Sequence, residues 1–324
     1  MKAIVQDRYG SSDVLELRTI DTPAPGENEV LVRVHAAAIN AYDWHFMRGD
    51  PYVGRVAIGW TGPRKRVRGR DFAGTVEVTG AAVSRFRPGD EVYGEADGTL
   101  AEYVRVPAKV IEHKPVNLSF EQAAAVPLAG TTALKGLRDA GKVGPGQRVL
   151  INGASGGVGT FAIQIAKACG ADVTGVCSAR NVELLESLGA DHVFDYGATD
   201  FARGDTRYDV IFDVVSNRKL AEYRRALTPN GTLVLLGGGP SNGGSFFGPL
   251  PLILRALAVS PFVSQRLVPF TVRRDAELLS TLRDLIEAGA VAPVIDRVFP
   301  LDQAPEAIRY LEEVHARAKV VVTV

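Results

Sequence analysis

Apolar and polar residues alternate through Glu29-Val-Leu-Val-Arg-Val-His-Ala, the period-two pattern of a half-buried strand. Arg87-Pro-Gly-Asp-Glu-Val-Tyr93 reads as a turn feeding another strand, and residues 1–120 together predict a mostly β unit. At Ser119 the period changes. Ser119 with Gln122 three residues later predicts a capped helix start, and apolar runs then alternate with helical stripes. Strands are expected at 149–151, 172–177, 192–195, 209–215 and 232–236, with a helix over 161–168 stopped at Gly170 and another over 219–227 closed by Pro229-Asn-Gly. Such alternation predicts an α/β unit with a parallel, doubly wound sheet. Beyond residue 266 the pattern predicts a strand at Phe270-Thr-Val, helices over 276–288 and 303–313, and a closing strand over 319–324. That tail is expected to return to the first unit, which divides the chain into 1–120, 121–265 and 266–324.

The sharpest chemical signal lies between the first strand and helix of the α/β unit. Gly153, Gly156 and Gly159 stand at GxxGxxG spacing in Asn152-Gly-Ala-Ser-Gly-Gly-Val-Gly-Thr160, where missing side chains let the backbone turn tightly and approach a phosphate. A strand before the turn, a helix after it and a second strand at 172–177 complete the βαβ unit that holds a dinucleotide pyrophosphate at a helix amino end. The second strand ends Cys177-Ser178-Ala179-Arg180, with no carboxylate where an NAD site offers one to the ribose. A hydroxyl beside a guanidinium suits a ribose phosphate, so NADPH is the expected cofactor, with NADH a weaker alternative. The competing reading of Arg180 is a solvated residue in a helix first turn.

Composition narrows the partners. The 324 residues carry 37 Lys and Arg against 37 Asp and Glu, a formal charge of zero, so no nucleic acid or anionic membrane is implied and small molecules are expected. The basic run Arg64-Lys-Arg-Val-Arg-Gly-Arg70 reads as a solvated rim in this neutral chain. Cys169 and Cys177 form no disulfide or zinc pattern, and the five histidines, His35, His45, His113, His192 and His315, form no paired ligand motif. No run reaches transmembrane length and the amino end lacks a signal-peptide core, so a soluble, cytoplasmic protein is expected. Within 240–267, the apolar stretch 246–257 leaves a lid, a dimer surface and an interfacial helix open.

Met1-Lys-Ala-Ile, Pro25-Gly-Glu-Asn-Glu-Val, Ile39-Asn-Ala-Tyr-Asp43, Gly69-Arg-Asp-Phe-Ala-Gly74, Arg87-Pro-Gly-Asp-Glu-Val92, Ala123-Ala-Ala-Val-Pro127, the glycine turn and His315-Ala-Arg-Ala-Lys-Val-Val321 run along the whole chain. Together they resemble a zinc-independent medium-chain dehydrogenase/reductase of the quinone oxidoreductase-like branch. The resemblance implies a GroES-like β domain split around an inserted Rossmann domain, with substrate in the cleft between them. It implies a homodimer at family level. Zinc-dependent relatives carry metal ligands where this chain has Asn40, Arg70 and Leu128, none a credible zinc ligand, so no metal is expected.

Without a metal, reduction of a quinone or an α,β-unsaturated carbonyl is favoured over alcohol oxidation, because the anion formed on hydride addition is delocalised. An alcohol or aldehyde oxidoreductase is the enzymatic alternative. A protein that senses NADPH and turns over little is the alternative of another class. The resemblance puts Asn40 and Thr132 near nicotinamide, Ser155, Gly156, Gly157 and Val158 on the pyrophosphate, and Ser178, Arg180 and Tyr196 at the ribose phosphate. It further puts Gly237, Phe270 and Val272 beside the nicotinamide ribose and carboxamide, and Lys319 on a phosphate. Asn40, Tyr42 and Tyr52 are the catalytic candidates. Either tyrosine serves as proton donor or only as an aromatic wall. His45 is a weaker donor candidate, and Asp43, Arg70 and Asp71 are read as fixing the loops around them.

Overall fold

The computed structural model describes residues 1–237, 246–314 and 316–324. His315 and residues 240–245 of the apolar segment lie outside the described residues. The chain opens with a β ribbon, β1 (Lys2–Gln6) and β2 (Leu15–Thr19), then runs into the long β3 (Glu29–Ile39). Helices α1 (Ala41–Arg48) and α2 (Arg55–Ile58) follow before β4 (Asp71–Thr79), β5 (Glu91–Glu95), β6 (Tyr103–Pro107) and β7 (Ile111–His113). β3 carries buried Val30, Val32 and Val34 at the alternate positions its sequence predicts.

Ser119 caps α3 (Phe120–Ala124) through a reciprocal pairing with Gln122, as the Ser-x-x-Gln spacing implies. Next comes α4 (Pro127–Lys135), then the parallel unit: β8 (Arg148–Asn152), α5 (Gly157–Ala168), β9 (Asp172–Cys177), α6 (Val182–Ser187), β10 (His192–Asp195), β11 (Tyr208–Asp213), α7 (Leu220–Ala226) and β12 (Leu227–Leu235). The apolar stretch forms α8 (Leu250–Val259), and β13 (Arg266–Pro269) follows it. The chain ends with α9 (Ala276–Glu287), β14 (Ile295–Pro300), α10 (Ala304–Val314) and β15 (Lys319–Thr323).

The parallel sheet has strand order β10-β9-β8-β11-β12-β13, the doubly wound arrangement whose strand order reverses beside β8. The other sheet, β14-β15-β3-β4-β5-β7 with β6 on β3, recruits its last two strands from the carboxyl end. A GroES-like β domain therefore closes around a Rossmann domain, and β14 and β15 of the carboxyl end join the first sheet. One boundary moves. The strand expected at Phe270-Thr-Val lies instead at Arg266–Pro269, where it pairs in parallel with β12, so the Rossmann sheet extends to residue 269. β14 pairs with β15 and had no expectation; its Asp-Arg-Val-Phe alternation is too short and too exposed to stand out.

The main core, with Phe161, Ile163 and Leu185 on one side of the parallel sheet, continues into α3, α4 and α9. That shared core fixes the two domains against each other. α8 buries Ala256 but leaves Leu254 and Leu257 outward, and the segment before it reaches the other domain, where Val53 N donates to Phe246 O at 3.3 Å.

Candidate active site

At the carboxyl end of β8 the backbone of Gly153 turns through φ +85°, and a Cβ there would stand 2.5 Å from Val215. A Cβ on Gly159 would stand 2.3 Å from the Gly153 carbonyl oxygen, so this glycine seats the helix on the turn. Gly156 differs. It caps α5 in extended conformation, and a Cβ there would meet nothing closer than Gly153 O at 3.5 Å. No side chain caps the amino end of α5, so the helix presents uncapped backbone N–H groups and its positive dipole end beside the carboxyl end of β8. Gly153, Ser155, Gly156, Gly157, Val158 and Gly159 thus form a cradle of the kind a pyrophosphate fills.

The cradle is stiffened by a network the sequence did not reveal. Asn152 Nδ2 donates to Asp213 Oδ1 at 2.7 Å and to Asn217 Oδ1 at 2.9 Å, while Asp213 also accepts from the Ser216 amide at 3.1 Å. Burial pushes the Asp213 carboxyl up, against the pull of Asn152, Tyr223 and two backbone amides.

Ser178, Arg180 and Tyr196 meet at the ends of β9 and β10. Asn181 Nδ2 donates to Ser178 Oγ at 3.2 Å, Arg180 is exposed with Nη2 donating to Val314 O at 3.0 Å, and Tyr196 is 58% exposed. Asp195 lies level with Cys177 in the ladder but turns one oxygen onto the Gly197 amide. At the opposite end Gly237 takes φ +87°. Phe270 follows β13, its N–H on Leu235 O at 3.1 Å, and Val272 packs on the core. Thr132 is buried in α4.

Asn40 ends β3 and caps α1. Its N–H donates to Asp43 Oδ2 at 2.8 Å, Nδ2 donates to Asp71 Oδ2 at 3.0 Å, and Oδ1 accepts from Lys319 Nζ. Lys319 also reaches Asp71 at 3.2 Å, and the Leu128 amide donates to the other Asp71 oxygen at 3.1 Å. Positions 40, 71, 128 and 319, scattered in sequence, thus converge on one buried carboxylate. The Lys319 ammonium, expected at a phosphate, is instead committed to this network with 2% exposure; only its stem lies near Gly157. Asn40 has partners at both ends of its amide, which makes it a positioning residue and not a free hydrogen-bond donor.

Tyr42 and Phe46 stack on α1 at 3.9 Å, and the Arg70 guanidinium covers the Tyr42 ring at 4.6 Å. Tyr42 and Phe46 border a cavity of about 410 Å³. Burial raises the Tyr42 phenol above its ordinary value and lifts buried Asp43 to about 6. Tyr52, the other catalytic candidate, is not among the cavity residues; it is 40% exposed with Arg55 over its ring at 4.6 Å. Burial lowers His45, which has an unpartnered Nδ1 among the described residues. The basic run 64–70 is not uniformly a solvated rim either: Arg68 is buried, and Arg70 donates to buried Glu95 at 2.8 Å. Among the described residues no cluster of His, Cys, Asp and Glu could hold a metal ion.

The glycine cradle and a split β domain closed around a doubly wound parallel sheet define a dinucleotide-dependent oxidoreductase fold. Residues 26–116 match the alcohol dehydrogenase GroES-like domain, and residues 188–322 match the zinc-binding dehydrogenase family. The chain is 36% identical to a 2-methylene-furan-3-one reductase of Solanum lycopersicum, over 99% of this chain and 79% of the relative. The quinone oxidoreductase structure from Coxiella burnetii superposes with TM-score 0.87 at 32% identity, covering 100% and 99% of the two chains. The Escherichia coli quinone oxidoreductase complexed with NADPH gives 0.84 at 25% identity, with both chains fully covered. The chain belongs to the quinone oxidoreductase-like branch of the medium-chain dehydrogenase/reductases.

Proposed function

We propose that this protein is an NADPH-dependent reductase of quinones or α,β-unsaturated carbonyls that works without a metal. The observation that carries this reading is the pairing of the glycine cradle with a buried Asn40–Asp71–Lys319 network that takes in Asn40 and the Leu128 amide, two of the positions where metal-dependent relatives place ligands. When bound, the reduced nicotinamide supplies the hydride. The chain's own work is binding and positioning. Amides of the glycine turn hold the pyrophosphate, and Ser178, Arg180 and Tyr196 hold the ribose phosphate. Thr132, Gly237, Phe270 and Val272 shape the place for the nicotinamide end.

Asn40 fixes the start of α1 and so the place of Tyr42. The Tyr42 phenol, protonated at neutral pH like any tyrosine and the more so for its burial, can donate to an acceptor oxygen that gains negative charge. Overall NADPH, one proton and the acceptor give NADP⁺ and the reduced acceptor. Hydride goes to the electron-poor carbon of an enone or to the quinone, the displaced electron pair collects on oxygen, and the proton comes from Tyr42 or water. We further propose a homodimer, supported by the edge position of β13 and the outward Leu254 and Leu257 of α8, and a cytoplasmic setting, supported by two unpaired cysteines. Among the described residues no helix is long and apolar enough to cross a membrane.

NADPH oxidation with a quinone, an enone and a simple aldehyde side by side tests the assignment. Rapid use of quinone or enone with little aldehyde turnover is expected. Aldehyde reduction alone would replace it with an aldehyde oxidoreductase, and tight NADPH binding with no turnover of any acceptor with a sensing protein.

A further inference from the structure

The cavity beside Tyr42 has one chemical peculiarity. Its apolar wall comes from Tyr42, Phe46 and Ile58, and its polar residues include Arg68, a guanidinium only 6% exposed. Backbone bonds on both sides fix Arg68, its N–H on Ile4 O at 3.1 Å and its carbonyl accepting from Leu100 at 2.9 Å. The side chain donates through Nη2 to the Lys65 carbonyl. Nε has no partner, and no carboxylate lies within ion-pairing distance, among the described residues.

The neighbouring charges are already matched. Arg70 pairs with Glu95, and Asp97 is shared by Lys65 and Arg274. Asp43 spends its Oδ2 on the Asn40 amide. Arg64 stands exposed at the mouth, where a cation raises the local concentration of anions. A buried guanidinium stays charged and is costly without a counter-charge. Asp43, on the same cavity wall, pulls on Arg68 but lies beyond ion-pairing distance, so the cavity holds a fixed positive group with no carboxylate in contact among the described residues, enclosed by walls suited to a short hydrocarbon. One chain of contacts ties it to the cofactor side: Asp43 to Asn40, Asn40 to Lys319, and the Lys319 stem near Gly157.

We propose that the cavity takes the anionic end of the acceptor, so that the preferred substrates are enones or quinones bearing a carboxylate, anchored by Arg68. This rests on the reductase reading above. The carboxylate itself undergoes no bond change; it orients the conjugated carbon.

The test compares 4-oxopent-2-enoic acid with its methyl ester, under NADPH, in the wild-type protein, Arg68→Met and Arg68→Lys. The wild type is expected to favour the acid in kcat/KM by about 10- to 100-fold, the range of one charge-assisted hydrogen-bonded contact. The preference should reside mainly in KM, collapse in Arg68→Met and be partly rescued in Arg68→Lys. Equal use of acid and ester by the wild type, or an acid preference that survives in Arg68→Met, overturns the proposal. If neither compound nor a simple quinone is reduced, the reductase reading fails on its own. Calorimetric titration of the NADPH-bound protein with the acid then decides the anchor: binding that Arg68→Met abolishes supports it, and wild-type protein that binds no acid overturns it.

Discussion

The two sides of the cleft are built from different material. On the cofactor side the cradle is backbone, laid down by consecutive residues 153–159 and held open by what glycine lacks. On the acceptor side the surfaces are side chains gathered from afar: Lys319 meets Asn40 across 279 positions and Asp71 across 248. A backbone site writes itself into local spacing, whereas this side-chain site exists only once the carboxyl-terminal β15 has paired with β3, and β3 with β4, in one sheet. The first tolerates change anywhere except at its glycines. The second couples binding to the closure of the split β domain by its returning strand.

Removing one partner of the buried network should show that coupling most strongly. Lys319→Met leaves the Asp71 carboxylate buried without its cation and is expected to cost about 3–5 kcal/mol in unfolding free energy. Adding Asp71→Asn should recover much of that loss. A stability change below 1 kcal/mol by denaturant titration, on the order of an exposed ion pair, would mean that the network does not hold the returning strand in the β domain.

The cofactor side should respond in the opposite manner. Gly156→Ala adds a methyl where the protein leaves space, so Tm should stay constant while NADPH binding weakens by roughly 10-fold or more. Gly159→Ala should lower Tm and binding together, since its Cβ collides with backbone. Calorimetry with parallel thermal melts separates the two, and a Gly156→Ala protein that binds NADPH normally removes the cradle from the site. Arg180→Glu should weaken NADPH by on the order of 10- to 100-fold and leave NADH nearly untouched; equal effects on both would displace the ribose phosphate.

Smaller effects sharpen the acceptor side. Tyr42→Phe should lower kcat on an enone by at least about 10-fold if the phenol donates, whereas Tyr52→Phe, on the exposed turn, should change it by less than about twofold. Equal losses would return Tyr52 to the centre. Asp43 supplies a pH signature. Its carboxyl rises from 3.8 unfolded to about 6 folded, because burial disfavours the charge. The native protein therefore holds a proton that the unfolded chain releases. Stability from this group is present below pH 4, falls as pH rises to about 6 and is level above it, a loss on the order of 3 kcal/mol. Asp43→Asn should lack that slope; an unchanged slope in the variant would assign it elsewhere.

What the sequence revealed follows the same division. The parallel unit, the Ser119 cap and the glycine turn were legible because period and spacing are local properties. The edge strand at 266–269 was placed a few residues late, since a four-residue apolar run next to Phe270 carries no register. Arg68 was hidden for a different reason. Within Arg64-Lys-Arg-Val-Arg-Gly-Arg70 it is one cation among several, and only the fold buries it beneath α1's neighbours while its companions stay at the surface or find carboxylates. The resemblance assigned Lys319 to phosphate, but its ammonium is engaged by two residues that no spacing links to it.

The claim on which the account turns is that the Asn40–Asp71–Lys319 network serves where relatives use a metal. The direct test is steady-state reduction of an enone by NADPH in protein stripped by chelator, with bound zinc quantified before and after. Turnover should be unchanged with zinc far below one atom per chain, and added zinc should not raise it. Activity that disappears with the metal and returns on adding zinc would contradict the account.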